Sequence, residues 1–173
     1  MAGAANATIY IDTNFVLDWL THNHTRSDSH DVAGLITAIC TDKIKAVTSV
    51  ITKIEVLACK TDPTMWRAWE RFQARRNVQV TPVTNSIADT AMEIRDYYQR
   101  IRDADPSQKK PPGVPDCIHV ATAIVLKCDE MISFDRGGMD PKSLSPLELN
   151  GTVAGKWPLK IQRPIAATRA LHV

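Results

Sequence analysis

Apolar residues along the chain alternate between short strand-like runs and longer segments in which they recur every three or four positions. The short runs predict four strands, at residues 9–11, 44–48, 78–83 and 130–134. The longer segments predict helices that begin near residues 15, 31, 50, 65, 85 and 118. Strands separated by helices of roughly 10–20 residues form a parallel sheet with helices on both faces. The pattern therefore predicts an α/β protein with three layers, α/β/α, and a central parallel sheet.

Two segments interrupt this alternation. Residues 103–113 contain three prolines and a single apolar residue, Ala104, which predicts an exposed loop. From Leu147 onward, glycines and prolines break the apolar pattern. We therefore expect one domain over residues 1–147 and an irregular C-terminal tail over residues 148–173. A chain of 173 residues that is 44% hydrophobic is long enough for one domain with its own core.

The composition indicates the compartment in which the protein is expected. The cysteines show no C-x-x-C spacing, which argues against a zinc site or a disulfide framework and predicts buried thiols in a reducing compartment. The first residues lack the basic and apolar regions of a secretory signal. No window reaches the ~18 uninterrupted apolar residues of a membrane span. We therefore expect a cytoplasmic protein without a membrane partner.

Four acidic residues occupy special positions in this pattern. Asp12 and Asp135 each follow a predicted strand, Asp116 lies in the first turn of a predicted helix, and Glu55 interrupts the apolar face of another. Strand carboxyl ends and the helices that follow them meet on one side of such a sheet, so we expect these acids to be neighbours. Two ordinary roles stay open: Asp12 is also a typical helix cap, and Glu55 on an outer face would pair with Lys53 or Lys60.

Clustered carboxylates repel one another unless a cation neutralises them. Hard oxygen ligands without cysteine or an obligatory histidine favour Mg²⁺ or Mn²⁺ over zinc. Such a site suits phosphodiester hydrolysis, because the metal activates a water and offsets the charge that develops on the phosphate. The Thr13 and Ser133 hydroxyls and the Asn14 amide are candidates for orienting the acids or the water. In the helix that contains Asp116, only His119 offers further chemistry.

Four motifs carry a family resemblance. The stretches I-Y-I-D-T-N-F-V-L-D, S-V-I-T-K-I-E-V-L-A, P-D-C-I-H-V-A-T-A and M-I-S-F-D resemble, in this order, the motifs of PIN-domain proteins, especially the VapC-type toxins of bacterial toxin–antitoxin pairs. The resemblance implies a Mg²⁺- or Mn²⁺-dependent endoribonuclease in which Asp12, Glu55, Asp116 and Asp135 match the acidic positions. It further implies a homodimer and, for a toxin, an antitoxin that occludes the site.

The resemblance leaves two other functions open. A stand-alone nuclease of RNA processing would share the motifs, and a PIN-like module that binds RNA or protein without catalysis would share the fold. Retention of all four acids argues against the second, because an unused buried acid cluster costs stability. For a nuclease, we expect exposed basic side chains to hold the RNA backbone. The candidates are Arg67, Arg71, Arg75, Lys109 and Lys110.

Overall fold

The computed structural model describes residues 7–21, 29–58, 62–134 and 142–165. Its strands are β1 (Thr8–Ile11), β2 (Lys45–Ser49), β3 (Val78–Thr81), β4 (Glu130–Ile132), β5 (Gly151–Val153) and β6 (Trp157–Gln162). Its α-helices are α1 (Thr13–Leu20), α2 (Ser29–Cys40), α3 (Val50–Ala58), α4 (Pro63–Gln73), α5 (Asn85–Ala104) and α6 (Val114–Val125), and a 3₁₀ helix spans Pro146–Leu149. The four strands predicted from the sequence are all present.

The strands form one sheet in the order β3-β2-β1-β4-β6-β5. β1 lies at the centre and runs parallel to both β2 and β4, with Tyr10 opposite Val47 on one side and opposite Met131 on the other. β2 and β3 are also parallel, as are β4 and β6, whereas β5 is an antiparallel edge strand. The carboxyl ends of β1, β2 and β4 therefore share one edge of the sheet, which is where the predicted site lies.

Side chains of β1 alternate between two cores. Ile9 and Ile11 pack into a cluster with residues of α1, α2 and α4, whereas Tyr10 packs into a second cluster with residues of α5 and α6. Successive side chains of a strand point to opposite faces of the sheet, so these clusters are its two sides. The predicted three-layer α/β/α arrangement is confirmed.

Helices begin where capping residues stand in the sequence. The Asp62 carboxylate accepts from the backbone N–H groups of Thr64 and Met65 at the start of α4, and Pro63 occupies the first turn. Thr84 caps α5 by accepting from the Ile87 N–H. A side-chain oxygen that satisfies an otherwise unpaired N–H is the usual way in which a helix is started. Asp12 caps α1 in the same way. The starts of these three helices are therefore determined by residues next to them in the sequence.

The expectation of an irregular tail is wrong for Gly151–Val153 and Trp157–Gln162, which form β5 and β6 of the same sheet. Residues of β6 alternate in burial, with Leu159 and Ile161 inside and Lys160 exposed. This is the period of a strand that is covered on one face. The turn between the two strands needs positive φ at Ala154 (49°) and Gly155 (64°), which explains the glycine that made the segment look irregular.

The proline-rich segment predicted as an exposed loop over 103–113 begins after α5, which ends at Ala104, and it is exposed over residues 105–110, whereas Pro111 and Pro112 are buried. Several contacts hold this loop in place. Lys110 exchanges backbone hydrogen bonds with Lys142 and Leu144. The Arg95 guanidinium donates to the Pro112 carbonyl at 2.7 Å, and the Lys109 ammonium lies 2.7 Å from the Glu148 carboxylate. These contacts fix the entry of the chain into α6, and with it the position of Asp116.

Two further sequence expectations concern the cysteines and membranes. Cys117 and Cys128 are buried, as expected, but Cys40 is exposed at the end of α2, where the chain turns toward β2. Cys59 lies outside the described residues. Among the described residues, every helix is too short or too polar to span a membrane.

Candidate active site

Asp12 occupies the junction between β1 and α1. Its backbone N–H donates to the Ile132 carbonyl of β4, and its carboxylate accepts a 2.9 Å hydrogen bond from the Phe15 N–H. The side chain is 3% exposed. The helix-capping role that the sequence left open is therefore real, and it holds the carboxylate at the carboxyl edge of the sheet.

Glu55 reaches this edge from α3, which begins directly after β2. Its Oε2 accepts a short hydrogen bond from the Thr13 hydroxyl and lies 3.3 Å from Nε2 of His119. Both Thr13 and His119 are buried. Glu55 therefore faces α1 and α6, and the alternative of an outer-face residue paired with Lys53 does not describe it.

The environment of Glu55 favours the ionised carboxylate. Partial burial raises the pKa of the group, but the hydrogen bonds from His119 and Thr13 and the proximity of the imidazole lower it by more, so that the pKa lies below its ordinary value. Glu55 is consequently charged at neutral pH. A charged carboxylate is attracted to a nearby cation.

Asp116 lies in the first turn of α6, one helical turn before His119. Side chains three positions apart on a helix are neighbours, with about 5–6 Å between their Cβ atoms. A Cβ added to Gly113 would lie only 3.1 Å from the Asp116 Oδ2, so a glycine at the helix start leaves room for the carboxylate. α6 thus brings Asp116 to the side of the molecule where His119 contacts Glu55.

The remaining predicted site residues differ in their placement. Ser133 is fully buried after β4, where its N–H donates to the Gln162 carbonyl at the end of β6. Asn14 is exposed in the first turn of α1. Asp135 lies outside the described residues. The structure therefore joins Thr13 to Glu55 directly, places Asp12 next to Thr13 at the start of α1, and places Asp116 on α6.

Two residues of the site, His119 and Tyr10, were given no role by the sequence prediction, although His119 was noted there. His119, which is 4% exposed, contacts Glu55 and Thr13 through Nε2, and its Nδ1 lies 2.6 Å from the hydroxyl of the buried Tyr10. The signal in the sequence was a lone histidine in a helix that is otherwise apolar all round. Tyr10 gave no such signal, because a tyrosine inside a buried strand is ordinary.

The predicted basic residues split into two groups. Arg67 and Arg71 are exposed along α4. Arg75, by contrast, donates to the Cys40 carbonyl and lies 3.9 Å from Asp42, so it joins α4 to the turn after α2. Lys109 is paired with Glu148, and Lys110 is exposed in the fastened loop. Arg67 and Arg71 thus extend from the surface of α4, whereas Arg75 and Lys109 contact other parts of the chain.

The donor set fits a hard divalent cation, since carboxylate oxygens are the ligands that Mg²⁺ and Mn²⁺ prefer. Within the described ranges, no three Asp, Glu, His or Cys side chains are already gathered as a metal-binding group. The contacts of Glu55 with Thr13 and His119 both involve Oε2. Asp12, Glu55 and Asp116 are the described residues that would hold the ion.

The sequence over residues 9–140 matches the family model of the PIN domain. Because this match covers most of the chain, the protein belongs to the PIN domain family. A search of curated protein sequences gives no match.

Solved structures share the fold. A chain of a toxin–antitoxin complex from Klebsiella pneumoniae aligns with a TM-score of 0.50 at 20% identity, over 80% of this chain and 97% of that one. A chain of VapBC2 from Rickettsia felis, bound to a DNA fragment from the promoter, aligns with a TM-score of 0.53 at 10% identity, over 90% and 98%. At these identities the likeness shows a common fold.

Proposed function

We propose that the protein is a metal-dependent endoribonuclease that hydrolyses RNA phosphodiesters and acts as the toxin of a type II toxin–antitoxin pair. The observation that carries the proposal is the hydrogen bond from Thr13 to Glu55. It draws an ionised acid from α3 to the sheet edge where Asp12 follows β1. Membership of the PIN domain family supports nuclease chemistry.

In this proposal Asp12, Glu55, Asp116 and Asp135 hold Mg²⁺ or Mn²⁺. When bound, the metal supplies a water of lowered pKa and offsets charge on the phosphodiester. The chain's own contribution is to keep the carboxylates fixed. The α1 N-terminus holds Asp12 through the Phe15 N–H, and Thr13 holds Glu55, so neither group has to be reoriented when substrate arrives. Arg67 and Arg71 contact the RNA backbone from α4.

The decisive experiment is cleavage of a labelled RNA panel by the purified protein with Mg²⁺, Mn²⁺ or EDTA. Asp12→Asn is an informative variant because asparagine also caps helices, so the charge is removed and the cap is kept. Asp62→Asn is its matched control, since Asp62 caps α4 at an exposed position. We expect metal-dependent cleavage that is lost in Asp12→Asn and Asp116→Asn and kept in Asp62→Asn. An inactive wild-type protein without Mn²⁺ affinity would instead support the non-catalytic binding module.

The toxin role is supported by the fold shared with chains of toxin–antitoxin complexes. The proposed partner is an antitoxin protein that covers the acidic edge, and the proposed compartment is the cytoplasm, where the RNA is. Induced expression in a bacterial host is expected to arrest growth with the wild-type protein and not with Asp116→Asn. Growth that continues in both cases would favour a stand-alone nuclease of RNA processing.

The proposed assembly is a homodimer. Among the described residues, several large apolar side chains are more than half exposed. They are Ile54 (59%), Leu57 (52%), Met92 (63%) and Val114 (55%). Exposed apolar side chains of this kind lose contact with water when a second chain covers them, which favours association. Light scattering is expected to give twice the 19.2 kDa mass of one chain, and a mass of one chain would refute the dimer.

A further inference from the structure

Tyr10 and His119 form a buried polar pair between the centre of the sheet and α6. The Tyr10 hydroxyl lies 2.6 Å from Nδ1 of His119, and the two rings are tilted by 56° with their centroids 5.8 Å apart. Tyr10 is 0% exposed and His119 is 4% exposed. The other ring nitrogen of His119, Nε2, faces Glu55 at 3.3 Å and Thr13 at 3.4 Å. The pair therefore connects the apolar core to the candidate active site.

The direction of the hydrogen bonds follows from the groups that face the two ring nitrogens of His119. Nε2 lies 3.3 Å from the Glu55 carboxylate, whereas Nδ1 lies 2.6 Å from the Tyr10 hydroxyl, a group that can donate as well as accept. A hydroxyl that donates to Nδ1 leaves the proton of a neutral imidazole on Nε2. That N–H points at the Glu55 carboxylate, which only accepts when ionised. Tyr10 thus selects the tautomer in which His119 donates to Glu55.

We infer that Tyr10 and His119 are positioning residues that fix the Glu55 carboxylate for metal binding, a role that rests on the proposed nuclease function. His119 and Thr13 both contact Oε2 of Glu55, from α6 and from α1. Two donors on one oxygen restrict rotation of the carboxylate and direct the other oxygen away from them. Hydrogen-bonding partners of metal-binding carboxylates generally contribute 10–100-fold to metal affinity or activity.

A purely structural role for the pair is less consistent with its surroundings. The same cluster contains Ile94, Val120 and Met131, so apolar side chains would fill the space without the cost of burying an imidazole and a phenol hydroxyl. Both polar groups have partners: the Tyr10 hydroxyl contacts Nδ1 of His119, and Nε2 of His119 contacts the Glu55 carboxylate. The contact of His119 with the Glu55 carboxylate therefore explains the pair better than packing alone.

The first test reads the tautomer directly in the metal-free protein. Nitrogen-15 NMR of the imidazole, recorded at alkaline pH, is expected to show the Nε2–H tautomer of His119 in the wild-type protein. In Tyr10→Phe, which keeps the ring and loses the donor, a substantial Nδ1–H population is expected. The Nδ1–H tautomer in the wild-type protein, or an unchanged tautomer in Tyr10→Phe, would overturn the inference.

The second test measures Mn²⁺ affinity by isothermal calorimetry for a matched set of variants. His119→Gln places an amide N–H near the position of Nε2, whereas His119→Leu removes the donor. Thr122→Val is the control, because it alters a fully buried hydroxyl on the same helix that donates to the Ile118 carbonyl. We expect at least a tenfold loss of affinity in His119→Leu, and values within about threefold of wild type in His119→Gln and Thr122→Val.

The outcomes separate the two proposals. Wild-type affinity in His119→Leu, or an equal loss in His119→Gln and His119→Leu, would overturn the positioning role while the nuclease proposal stands. A wild-type protein that neither binds Mn²⁺ nor cleaves RNA would overturn the proposed function, and the positioning role would fall with it.

Discussion

The Thr13 hydroxyl donates a hydrogen bond to the Glu55 carboxylate, and this contact joins the first residue of α1 to the middle of α3 across 42 positions of sequence. Thr13 stands immediately after Asp12, which follows β1, and Glu55 lies in α3, the helix that follows β2. Because β1 and β2 are adjacent parallel strands, their following helices start from the same edge. The geometry of the acidic edge is therefore a consequence of strand order.

Replacement of Thr13 by valine removes the hydroxyl and keeps the branched shape. We expect RNA cleavage and Mn²⁺ affinity to fall by about 10–100-fold, because the Glu55 carboxylate loses one of its two donors. The free energy of unfolding is expected to fall by about 1 kcal/mol, the usual net value of one hydrogen bond. Thr13→Ser is the matched control, since it keeps the donor and is expected to stay near wild type. Equal losses in both variants would show that the methyl group, rather than the hydroxyl, is required.

Glu55 is predicted to stabilise the fold in a pH-dependent manner. Its pKa in the folded protein lies below the ordinary glutamate value of 4.5, because the His119 and Thr13 hydrogen bonds outweigh the effect of partial burial. A depressed pKa means that the unfolded chain binds the proton more readily. The resulting stabilisation is complete above the unfolded pKa and is lost as the pH falls through the folded pKa.

The measurement is urea unfolding of wild type and Glu55→Gln over a range of pH. The free energy of unfolding of wild type is expected to exceed that of Glu55→Gln by a constant amount near neutral pH. This difference is expected to shrink as the pH falls below about 4.5. Glu93→Gln provides the control, because Glu93 is exposed and pairs with Lys156 on the surface. A wild-type advantage that grows on acidification would contradict the assignment.

Local signals made much of this architecture predictable. Each predicted strand has a clear apolar run, and the capping residues Asp62 and Thr84 stand where the helices begin. Asp12 was predictable because its position depends on two adjacent local elements. The contact between His119 and Glu55 was not, since it depends on how α6 packs against α3 over 64 positions of sequence. No periodicity in either helix specifies that packing.

β6 was missed for a different physical reason. Its alternation of Trp157, Leu159 and Ile161 is a proper strand pattern, but Pro158 lies inside it and Gly155 precedes it. Proline lacks the N–H that a sheet requires, so it normally argues against a strand. Here Pro158 lies near the beginning of β6, before Lys160, where the pairing with β4 begins, so at this position β6 is paired with β5 and not yet with β4.

The contribution of β6 to the core can be measured at Ile161. This side chain is 2% exposed, and in the sheet Ile161 lies opposite Met131 of β4. Ile161→Ala is expected to lower the free energy of unfolding by about 2–5 kcal/mol, because it leaves a cavity beside the sheet. Ile165→Ala is the control, as Ile165 is 39% exposed and is expected to change stability by roughly 0.5 kcal/mol or less. Equal effects at both positions would mean that β6 contributes little to the core.

Variants of Trp69 distinguish the contribution of packing from that of hydrogen bonding in the cluster that contains Ile9 and Ile11. It is 0% exposed and stacks on Phe72 with the ring centroids 5.9 Å apart, and its indole N–H has no hydrogen-bond partner among the described residues. Trp69→Ala is expected to cost about 3–5 kcal/mol through the cavity it creates. Trp69→Phe is expected to cost less than half of that, because the stacking on Phe72 is kept and no hydrogen bond is lost. Urea unfolding of the two variants decides the matter, with the partly exposed Trp66→Phe as a control. If Trp69→Phe proved as costly as Trp69→Ala, the indole N–H would have to serve a partner in the native protein.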